Sequence, residues 1–431
     1  MGIIQASIPL FFLLIGAELL VAWWRRDRVY RFTDSISDLS CGILSQLSGL
    51  FTKLGLLVAY AWTFDHARLQ RFLSLPEWPV GPWWDGSVRW GNIAAWWLAF
   101  VLVDLAYYWM HRLSHEVNIL WAGHVVHHSS EEYNLTVALR QSSLHGLLSW
   151  VFYVPLALLG VPFVLFATTY ALNLIYQFWI HTREVGTLGA AAEAVLNTPS
   201  HHRVHHGVNP QYQDRNYAGV FITWDRLFGT FTREVEPPVY GLTKPLASWN
   251  PVWANVHVFV DIAKGVWRGK TWRDRWRVVF GRPSEQDGAA EVLAAVQGVT
   301  PERFQKFDPS AARPVRWYAG VHFLAALLAS VRLLQVGDSL EPLALAALVF
   351  YVALNLANIG ALLEGQRWGV RSELARLAAL GAAGGALLVV GASGAWVGWA
   401  LLLGSAASAV WLLGIRQHLN QPTQMAPALT M

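Results

Sequence analysis

Histidine is the residue with the most evident chemistry in this sequence. Eleven of the 15 histidines fall between positions 111 and 206, and most of these stand in three short groups. Imidazole nitrogen binds iron, zinc, copper and nickel alike, so the residue type indicates a metal site without identifying the metal. The groups are HRLSH with His111 and His115, HVVHH with His124, His127 and His128, and HHRVHH with His201, His202, His205 and His206.

The first two groups have the spacing of one helical face. Residues four apart on a helix lie one above the other, which would bring His111 and His115 together. Positions i, i+3 and i+4 of the second group cover about 100° of a helix circumference. The nine residues from His115 to His124 turn the direction by about 180°, so one straight helix cannot direct both groups to a single site. A chain reversal near Gly123 is therefore predicted.

The third group has its own helix start and stop signals. Thr198 is placed to cap a helix, Pro199 suits the first helical position, and Gly207 lies just past the end. On this short helix all four histidines fall within about 140° of one another. Geometry alone does not exclude His201, but the other three repeat the spacing of the second group.

The number of imidazoles predicts two metal ions. Eight candidate ligands are too many for one ion, and four or five per ion imply a pair. His181, which follows an apolar segment, is a ninth candidate ligand, whereas His145 is predicted to be structural. The single cysteine, Cys41, excludes a cysteine-ligated cluster. Histidine clusters that sense pH or bind structural zinc are the alternative.

Two acidic residues accompany the first histidine group and are candidate catalytic residues. Asp104 lies seven residues before His111 and eleven before His115, on the same helical stripe. An acid within an apolar span is costly and usually functional, and this one could accept the outer N–H of a ligand histidine. Ion pairing to another span is the alternative. Glu116 points about 100° away, where it could act as a base, contact a cofactor or be solvated.

The elements that must position these residues are membrane helices. The chain of 431 residues is 54% hydrophobic and 14% charged, and its apolar runs are long enough to cross about 30 Å of hydrocarbon. Arginines at positions 25, 26, 28 and 31 follow the first run and assign that end to the cytoplasm. The third run then delivers His111 to the cytoplasmic side. Predicted spans are residues 3–24, 41–64, 92–110, 318–336, 340–362, 374–391 and 393–415, with a membrane hairpin at 143–160 and 163–180.

The predicted fold class is all-α, a polytopic transmembrane helical bundle with a histidine-rich helical cap on the cytoplasmic face. Residues 262–280 interleave basic residues with tryptophan, as in segments that lie among lipid headgroups, although a solvated basic helix is the alternative. The net charge of +4 comes from basic residues beside apolar spans, so no nucleic-acid partner is predicted. The predicted regions are N-terminal spans at 1–110, the histidine region at 111–235 with its hairpin at 143–180, a cytoplasmic or interfacial segment at 236–313, a C-terminal bundle at 314–418 and a tail at 419–431.

Four segments between residues 107 and 231 resemble the fatty acid hydroxylase and sterol desaturase superfamily of integral-membrane diiron enzymes, and within it the glyceryl-ether monooxygenases. They read YYWMHRLSHEVNILWAGHVVHHSSEEYNLTVALRQS, YQFWIHT, LNTPSHHRVHHG and NYAGVFITWDRLFGTF. The resemblance implies a role for Glu116 and mostly structural roles for Asn216, Tyr217, Trp224, Asp225 and Arg226. It implies iron ligation by His111, His115, His124, His127, His128, His202, His205 and His206, with His181 where relatives also carry a ligand.

The function that the resemblance implies is an O2-dependent monooxygenase with two iron ions. Hydroxylation of the ether carbon of an alkylglycerol would give fatty aldehyde and glycerol. The partners are then a membrane lipid, dioxygen and an external electron donor, which the resemblance gives as tetrahydrobiopterin without a recognisable pterin motif here. A sterol, carotenoid or fatty acyl desaturase or hydroxylase is the alternative. A metal-transporting or metal-sensing membrane protein is a third hypothesis, but the histidines follow span ends instead of lying within the spans.

Overall fold

The computed structural model of the protein describes residues 3–286, 296–391 and 395–419. The predicted tail beyond residue 419 and the predicted start of the last span at Ser393 lie outside these residues. The described chain is helical, and its only β structure is a set of isolated bridges such as Leu196 with Phe221. The all-α prediction is therefore confirmed.

The described residues form two compact units. The first comprises residues within 1–31, 48–245 and 255–304, and the second those within 32–47, 246–254 and 305–431. Every candidate site residue belongs to the first unit. Its longer helices are α1 (Ile8–Arg25), α2 (Phe32–Ala67, which begins in the second unit), α3 (Trp90–Glu116), α4 (Asn118–His128), α5 (Phe163–Trp179), α6 (Pro199–His205), α7 (Pro251–Arg268, which also begins in the second unit) and α8 (Trp272–Phe280).

The second unit holds four long helices: α9 (Arg313–Val336), α10 (Pro342–Leu363), α11 (Arg367–Val390) and α12 (Ala395–Gly414). Glycine permits close approach between α11 and α12, since a Cβ on Gly384 would lie 2.7 Å from the carbonyl oxygen of Gly398. Inside the unit, the buried Glu373 accepts from Arg376 (2.6 Å) and from the Tyr318 hydroxyl (2.7 Å). The buried charges of Glu373 and Arg376 therefore compensate each other.

Six of the helices are long and apolar enough to cross a membrane: α1, α3, α9, α10, α11 and α12. A seventh is added if α2, which bends by 45° between Phe32–Thr52 and Leu57–Arg71, counts as one span. The predicted hairpin folds as short helices at His145–Ser149 and Val154–Leu158, followed by α5 of 17 residues. Both arms are shorter than the roughly 20 residues that a full crossing needs.

The core of the first unit packs the hairpin against α3. Ala95, Ala99 and Val103 recur every four residues along α3 and are all buried in this contact. Such small side chains let helix backbones approach closely, which drives association in lipid. The Tyr60 hydroxyl adds a hydrogen bond of 2.8 Å to the Val161 carbonyl at the hairpin turn. This packing fixes the helix that carries the first histidine group.

The chain reverses at Val117, so the prediction of a reversal near Gly123 is wrong. Val117 is extended, with φ −122° and ψ 120°, and separates α3 from α4. The break is held from outside, because the Asn118 backbone N–H donates to the Gly281 carbonyl (3.0 Å) and its side-chain amide to that of Val278 (2.8 Å). Gly123 lies inside α4, where a Cβ would stand 2.8 Å from Leu148 Cδ1, so packing rather than a turn accounts for glycine there.

Candidate metal centre

Nine histidines converge in two adjoining groups. Within each group, one ring nitrogen of every residue lies within 4.8 Å of the others. The groups touch each other, because the rings of His128 and His206 stack with centroids 4.4 Å apart. The five-histidine group consists of His111, His115, His124, His128 and His205. The four-histidine group consists of His127, His181, His202 and His206.

Helix periodicity explains how so few elements fill both groups. In α4, His124 and His128 are one turn apart and face the five-histidine group, whereas His127 is rotated from His128 by about 100° and faces the other. The histidines of α6 divide in the same way. His205 lies in the five-histidine group, whereas His202, together with His206 just after the helix, lies in the four-histidine group. Each of these helices therefore serves as a wall shared by two sites.

Hydrogen bonds fix the ring orientation in the four-histidine group. The Nδ1 of His127 lies 3.1 Å from the Arg140 carbonyl oxygen, and that of His181 lies 2.8 Å from the Gln177 carbonyl oxygen. A carbonyl only accepts, so each Nδ1 carries the proton and each Nε2 presents a lone pair. The two Nε2 atoms are 3.2 Å apart, and neither can donate to the other. Such an arrangement calls for a cation between them.

The same logic holds in the five-histidine group. Nδ1 of His111 donates to the Tyr217 carbonyl (2.8 Å), and Nδ1 of His205 to the Arg215 carbonyl (3.0 Å). Their Nε2 atoms therefore present lone pairs, to His124 Nε2 at 3.0 Å and to His128 Nε2 at 3.2 Å. His115 Nε2, also buried, has no hydrogen-bond partner in the described chain. Unprotonated, buried nitrogens held in fixed positions are typical of metal ligands.

The nitrogen spacing fits shared ions. Metal–imidazole bonds of about 2.1 Å place two ligands at right angles roughly 3.0 Å apart. The Nε2–Nε2 separations between neighbouring histidines are 2.9 Å for His202 with His181 and 3.2 Å for His128 with His124. Both groups therefore already have the dimensions of a coordination shell.

Burial keeps these imidazoles in the neutral form that metal binding requires. Loss of hydration lowers the pKa of His181 to about 3 and that of His205 to about 4. In His127 and His206, burial and the neighbouring histidines together lower the pKa well below its usual value. The site thus favours a bound cation over protons at neutral pH.

A loop after α6 supports the five-histidine group. The buried carboxylate of Asp225 accepts from the backbone N–H groups of Tyr217 and Ala218, both at 2.8 Å, and from the Thr230 hydroxyl at 2.6 Å. These bonds orient the Tyr217 carbonyl that receives His111 Nδ1. Burial raises the pKa of Asp225 to about 6, although its three hydrogen bonds oppose that shift.

Asp104 does not accept a hydrogen bond from any histidine, contrary to the prediction. Its carboxylate takes four other donors: Asn173 Nδ2 (2.6 Å), Val220 N (2.8 Å), Phe221 N (3.0 Å) and Trp224 Nε1 (2.9 Å). The backbone of the loop, which no sequence pattern could place here, occupies the position expected for an imidazole. Asp104 therefore ties α3 to the loop that carries the Tyr217 carbonyl.

Glu116 lies outside both histidine groups, where it forms ion pairs. One carboxylate oxygen accepts from Arg112 Nε at 2.9 Å, and the other lies 3.8 Å from Arg282. Two other histidines of the region also fall outside the groups. The Nε2 of His201 lies 3.9 Å from the Glu193 carboxylate, and His145, whose ring packs against that of His124, contributes no nitrogen to either group.

The structure also adds residues that the sequence did not single out. Arg140 is almost completely buried and donates to the Val126 carbonyl (2.8 Å) and the Ser129 hydroxyl (2.8 Å), while its own carbonyl receives His127. Arg203 makes two bonds to Glu234 of 2.7 and 2.8 Å. A charged residue directly after the mainly apolar run LTVAL was the available signal for Arg140.

Comparison with known proteins gives a consistent set of relatives. Residues 96–230 match the family model for fatty acid hydroxylase. The chain is 38% identical to alkylglycerol monooxygenase of Xenopus tropicalis over 83% of its own length and 76% of the relative's. It is also 38% identical to the Homo sapiens enzyme of that name, over 84% and 78%. Ornithine lipid hydroxylase OlsE of Rhizobium tropici is 29% identical over 32% of this chain and 42% of its own. No solved structure matches.

Proposed function

The chain belongs to the alkylglycerol monooxygenase family of lipid-hydroxylating membrane enzymes, and we propose that it is a diiron monooxygenase that cleaves the ether bond of alkylglycerols. The observation that carries this proposal is the pair of histidine groups. In the four-histidine group the Nε2 lone pairs of His127 and His181 face each other at 3.2 Å with no proton between them, and in the five-histidine group the Nε2 lone pair of His111 points to His124 Nε2 at 3.0 Å.

The proposed ligands are the nine histidines of the two groups: His111, His115, His124, His128 and His205 for one ion, and His127, His181, His202 and His206 for the other. Bound iron would supply the reductive activation of dioxygen that an amino-acid side chain cannot perform. The protein holds the rings by their Nδ1 atoms, keeps them unprotonated and limits the access of water.

The reaction balances with one external two-electron donor. One oxygen atom of O2 enters the C–H bond of the ether carbon, and the other leaves as water with two electrons and two protons from the donor. The hydroxylated ether carbon is a hemiacetal, whose C–O bond then breaks to give a fatty aldehyde and glycerol. Tetrahydrobiopterin is the donor that we propose, on the strength of the resemblance alone.

The proposed address of the site is the cytoplasmic face of the membrane. The span α3 ends at Glu116 directly beside the histidines, so a lipid could reach the site from the bilayer without crossing bulk water. The basic cluster after α1 supports the cytoplasmic assignment. In that cluster, Arg25 Nη1 lies 2.8 Å from the carboxylate of Glu184, which is three residues from His181.

The test is an oxygen-dependent assay of the iron-loaded full chain in lipid. An alkylglycerol, a sterol, a carotenoid and a fatty acyl lipid are each incubated with protein and a reduced pterin. We expect release of fatty aldehyde from the alkylglycerol only. Turnover of the sterol, carotenoid or acyl lipid without aldehyde release would assign a different lipid substrate and overturn the proposal.

Two buried histidines with different neighbours give a test variant and its matched control. His127→Ala removes a member of the four-histidine group and should abolish aldehyde release. His201→Ala removes a histidine that points to Glu193 and should retain most of it. Equal loss in both variants would show that activity reports folding instead of ligation.

A further inference from the structure

A basic, tryptophan-rich surface on the first unit has no part in the proposed chemistry. It is formed by the end of α7, by α8 and by the residues that join them. Trp267 is 88% exposed, Trp272 76% and Trp276 55%, values that are unusual for tryptophan facing water. We call Trp267, Trp272, Trp276 and Phe280 the tryptophan face.

The helix α8 is strongly amphipathic. Trp272, Trp276 and Phe280 lie four residues apart, so they share an arc of about 80°. The rings contact one another, with centroids 6.5 Å and 4.3 Å apart. Arg273 and Arg275 lie on either side of this arc, at about 100° and −60° from Trp272. Arginines that flank an apolar arc can reach the phosphate layer while the arc enters the acyl boundary.

The end of α8 is bonded to the segment that follows α3, one of the helices long and apolar enough to cross a membrane. The helix α3 ends at Glu116, and Asn118 begins α4 two residues later. Asn118 bonds to the carbonyl oxygens of Val278 and Gly281, at the end of α8. Arg282, one residue further on, lies 3.8 Å from Glu116. The end of α8 is thus fixed to the end of a membrane span.

The charge of this surface is largely uncompensated. Residues 262–282 include seven basic side chains and one acidic side chain, Asp274, which caps α8 through Thr271. Within the described part of the chain, Arg268, Lys270, Arg273 and Arg277 make no ion pair with an acidic side chain. Basic residues near an anionic bilayer surface are attracted to it.

We infer that the tryptophan face and its flanking basic residues bind the surface of anionic phospholipids, with the rings in the headgroup region and the arginines on lipid phosphates. Charge complementarity favours this occupant over a neutral lipid surface, and the attachment of α8 to the end of α3 favours lipid over a protein partner. Through Asn118 the same segment anchors the amino end of α4, which carries three histidines. Lipid binding therefore holds the metal-binding helix at a defined depth relative to the bilayer.

The inference is tested on the full chain in nanodiscs of phosphatidylcholine with and without phosphatidylglycerol. Trp276→Cys carries an environment-sensitive fluorophore, and the exposed loop variant Val235→Cys, at a residue 74% exposed, is the control. The wild-type chain is the labelling blank, because its single cysteine, Cys41, is buried. The readout is quenching by lipid-borne and by aqueous quenchers, which does not depend on catalytic activity.

We expect the probe at position 276 to be quenched several-fold more by the lipid-borne quencher than the probe at 235. Phosphatidylglycerol should increase that difference, and Arg273→Gln with Arg277→Gln should remove the increase. Equal aqueous quenching at both positions would overturn the inference. So would indifference of the quenching at position 276 to phosphatidylglycerol.

Discussion

At the residue scale, His127 and His181 show how protonation follows from a hydrogen-bond partner. Each neutral ring donates its only N–H to a backbone carbonyl, so the two Nε2 lone pairs face each other at 3.2 Å. Two lone pairs at this distance repel unless a cation lies between them. The carbonyl groups of Arg140 and Gln177 thus specify ligand-competent tautomers before any metal arrives.

The low pKa values predict metal binding that is insensitive to pH near neutrality. A histidine with an ordinary pKa of about 6.5 gives up a proton to a metal at pH 6, which weakens binding there. Burial lowers the pKa of His181 to about 3 and of His205 to about 4, so neither carries a proton to release. We expect the Fe(II) affinity to change by less than about tenfold between pH 6 and pH 7.5. A steeper fall towards pH 6, measured by competition with a chelator, would contradict this.

The hydrogen bonds of Asp104 predict that two substitutions lower the iron affinity by different amounts. Asp104→Asn replaces one carboxylate oxygen by an N–H2 group. That group would face two donors, either those on Oδ1 or those on Oδ2, and each pair includes a backbone N–H of the loop, so the loop that carries the Tyr217 carbonyl should shift. We expect iron affinity of the five-histidine group to fall by about 10- to 100-fold. Trp224→Phe removes one donor only and should have a smaller effect. Equal iron affinity in Asp104→Asn and wild type would refute the positioning role.

At the element scale, the spacing of histidines along a helix determines which site each one enters. The i and i+4 residues of α4 enter one group and the i+3 residue enters the other. The spacing alone placed all three residues on one face of about 100°, and their division between two groups depends on partners from other elements, such as His205 and His202 of α6. The reversal at Val117 could not be predicted either, because α8 holds it through contacts made by residues far along the chain. The Thr198 cap was likewise only partly correct: the residue is at the N-cap, but its hydroxyl contacts Ser200.

Packing of the loop against α3 predicts that Gly219 cannot be replaced. A Cβ there would lie 2.7 Å from Asp104 Oδ1 and 3.0 Å from Tyr107 Cδ1, both buried. Gly219→Ala should lower the free energy of unfolding by about 1–3 kcal/mol and reduce bound iron. Gly186→Ala, where a Cβ meets nothing within 4 Å, should stay within about 0.5 kcal/mol of wild type. Thermal unfolding of the two variants measures the difference, and equal stability would rule out the packing constraint.

At the scale of the whole molecule, contacts between chain segments constrain the topology. The end of α1 lies beside the histidines, because Arg25 contacts Glu184 (2.8 Å) and Arg31 contacts Glu132 (2.7 Å). The span α3 also ends beside the histidines. Both ends can share one face of the membrane only if the chain crosses between them. These contacts therefore predict that the bent helix α2 crosses the membrane.

This topology predicts which loops share a membrane face. Asp27 follows α1, and Asp85 lies in the loop before α3. An impermeant maleimide applied to sealed vesicles should label Asp27→Cys and Val235→Cys from one side and Asp85→Cys only from the other. The cytoplasmic side should be the side of Asp27. Labelling of Asp27→Cys and Asp85→Cys from the same side would contradict the crossing by α2.

Much of this architecture follows from composition and spacing, and the remainder from contacts between distant segments. Apolar length predicted the spans, and the number of histidines predicted two metal ions, because both are properties of the local sequence. Which histidines share a group could not be predicted in this way. The partners of Asp104 and of the Nδ1 atoms are mostly backbone groups, whose position depends on the folded loop and not on residue type. The length of the apolar runs predicted the hairpin arms, but it did not predict that the first arm divides into short helices.

The central claim is that each chain holds two iron ions, one in each histidine group. Its most direct test is the iron-to-protein ratio of the purified, iron-loaded chain, measured by mass spectrometry of the metal. We predict a ratio of two in the wild type, with a loss in His127→Ala and none in His201→Ala. A ratio of one or zero in wild-type protein that still hydroxylates its lipid would contradict the account.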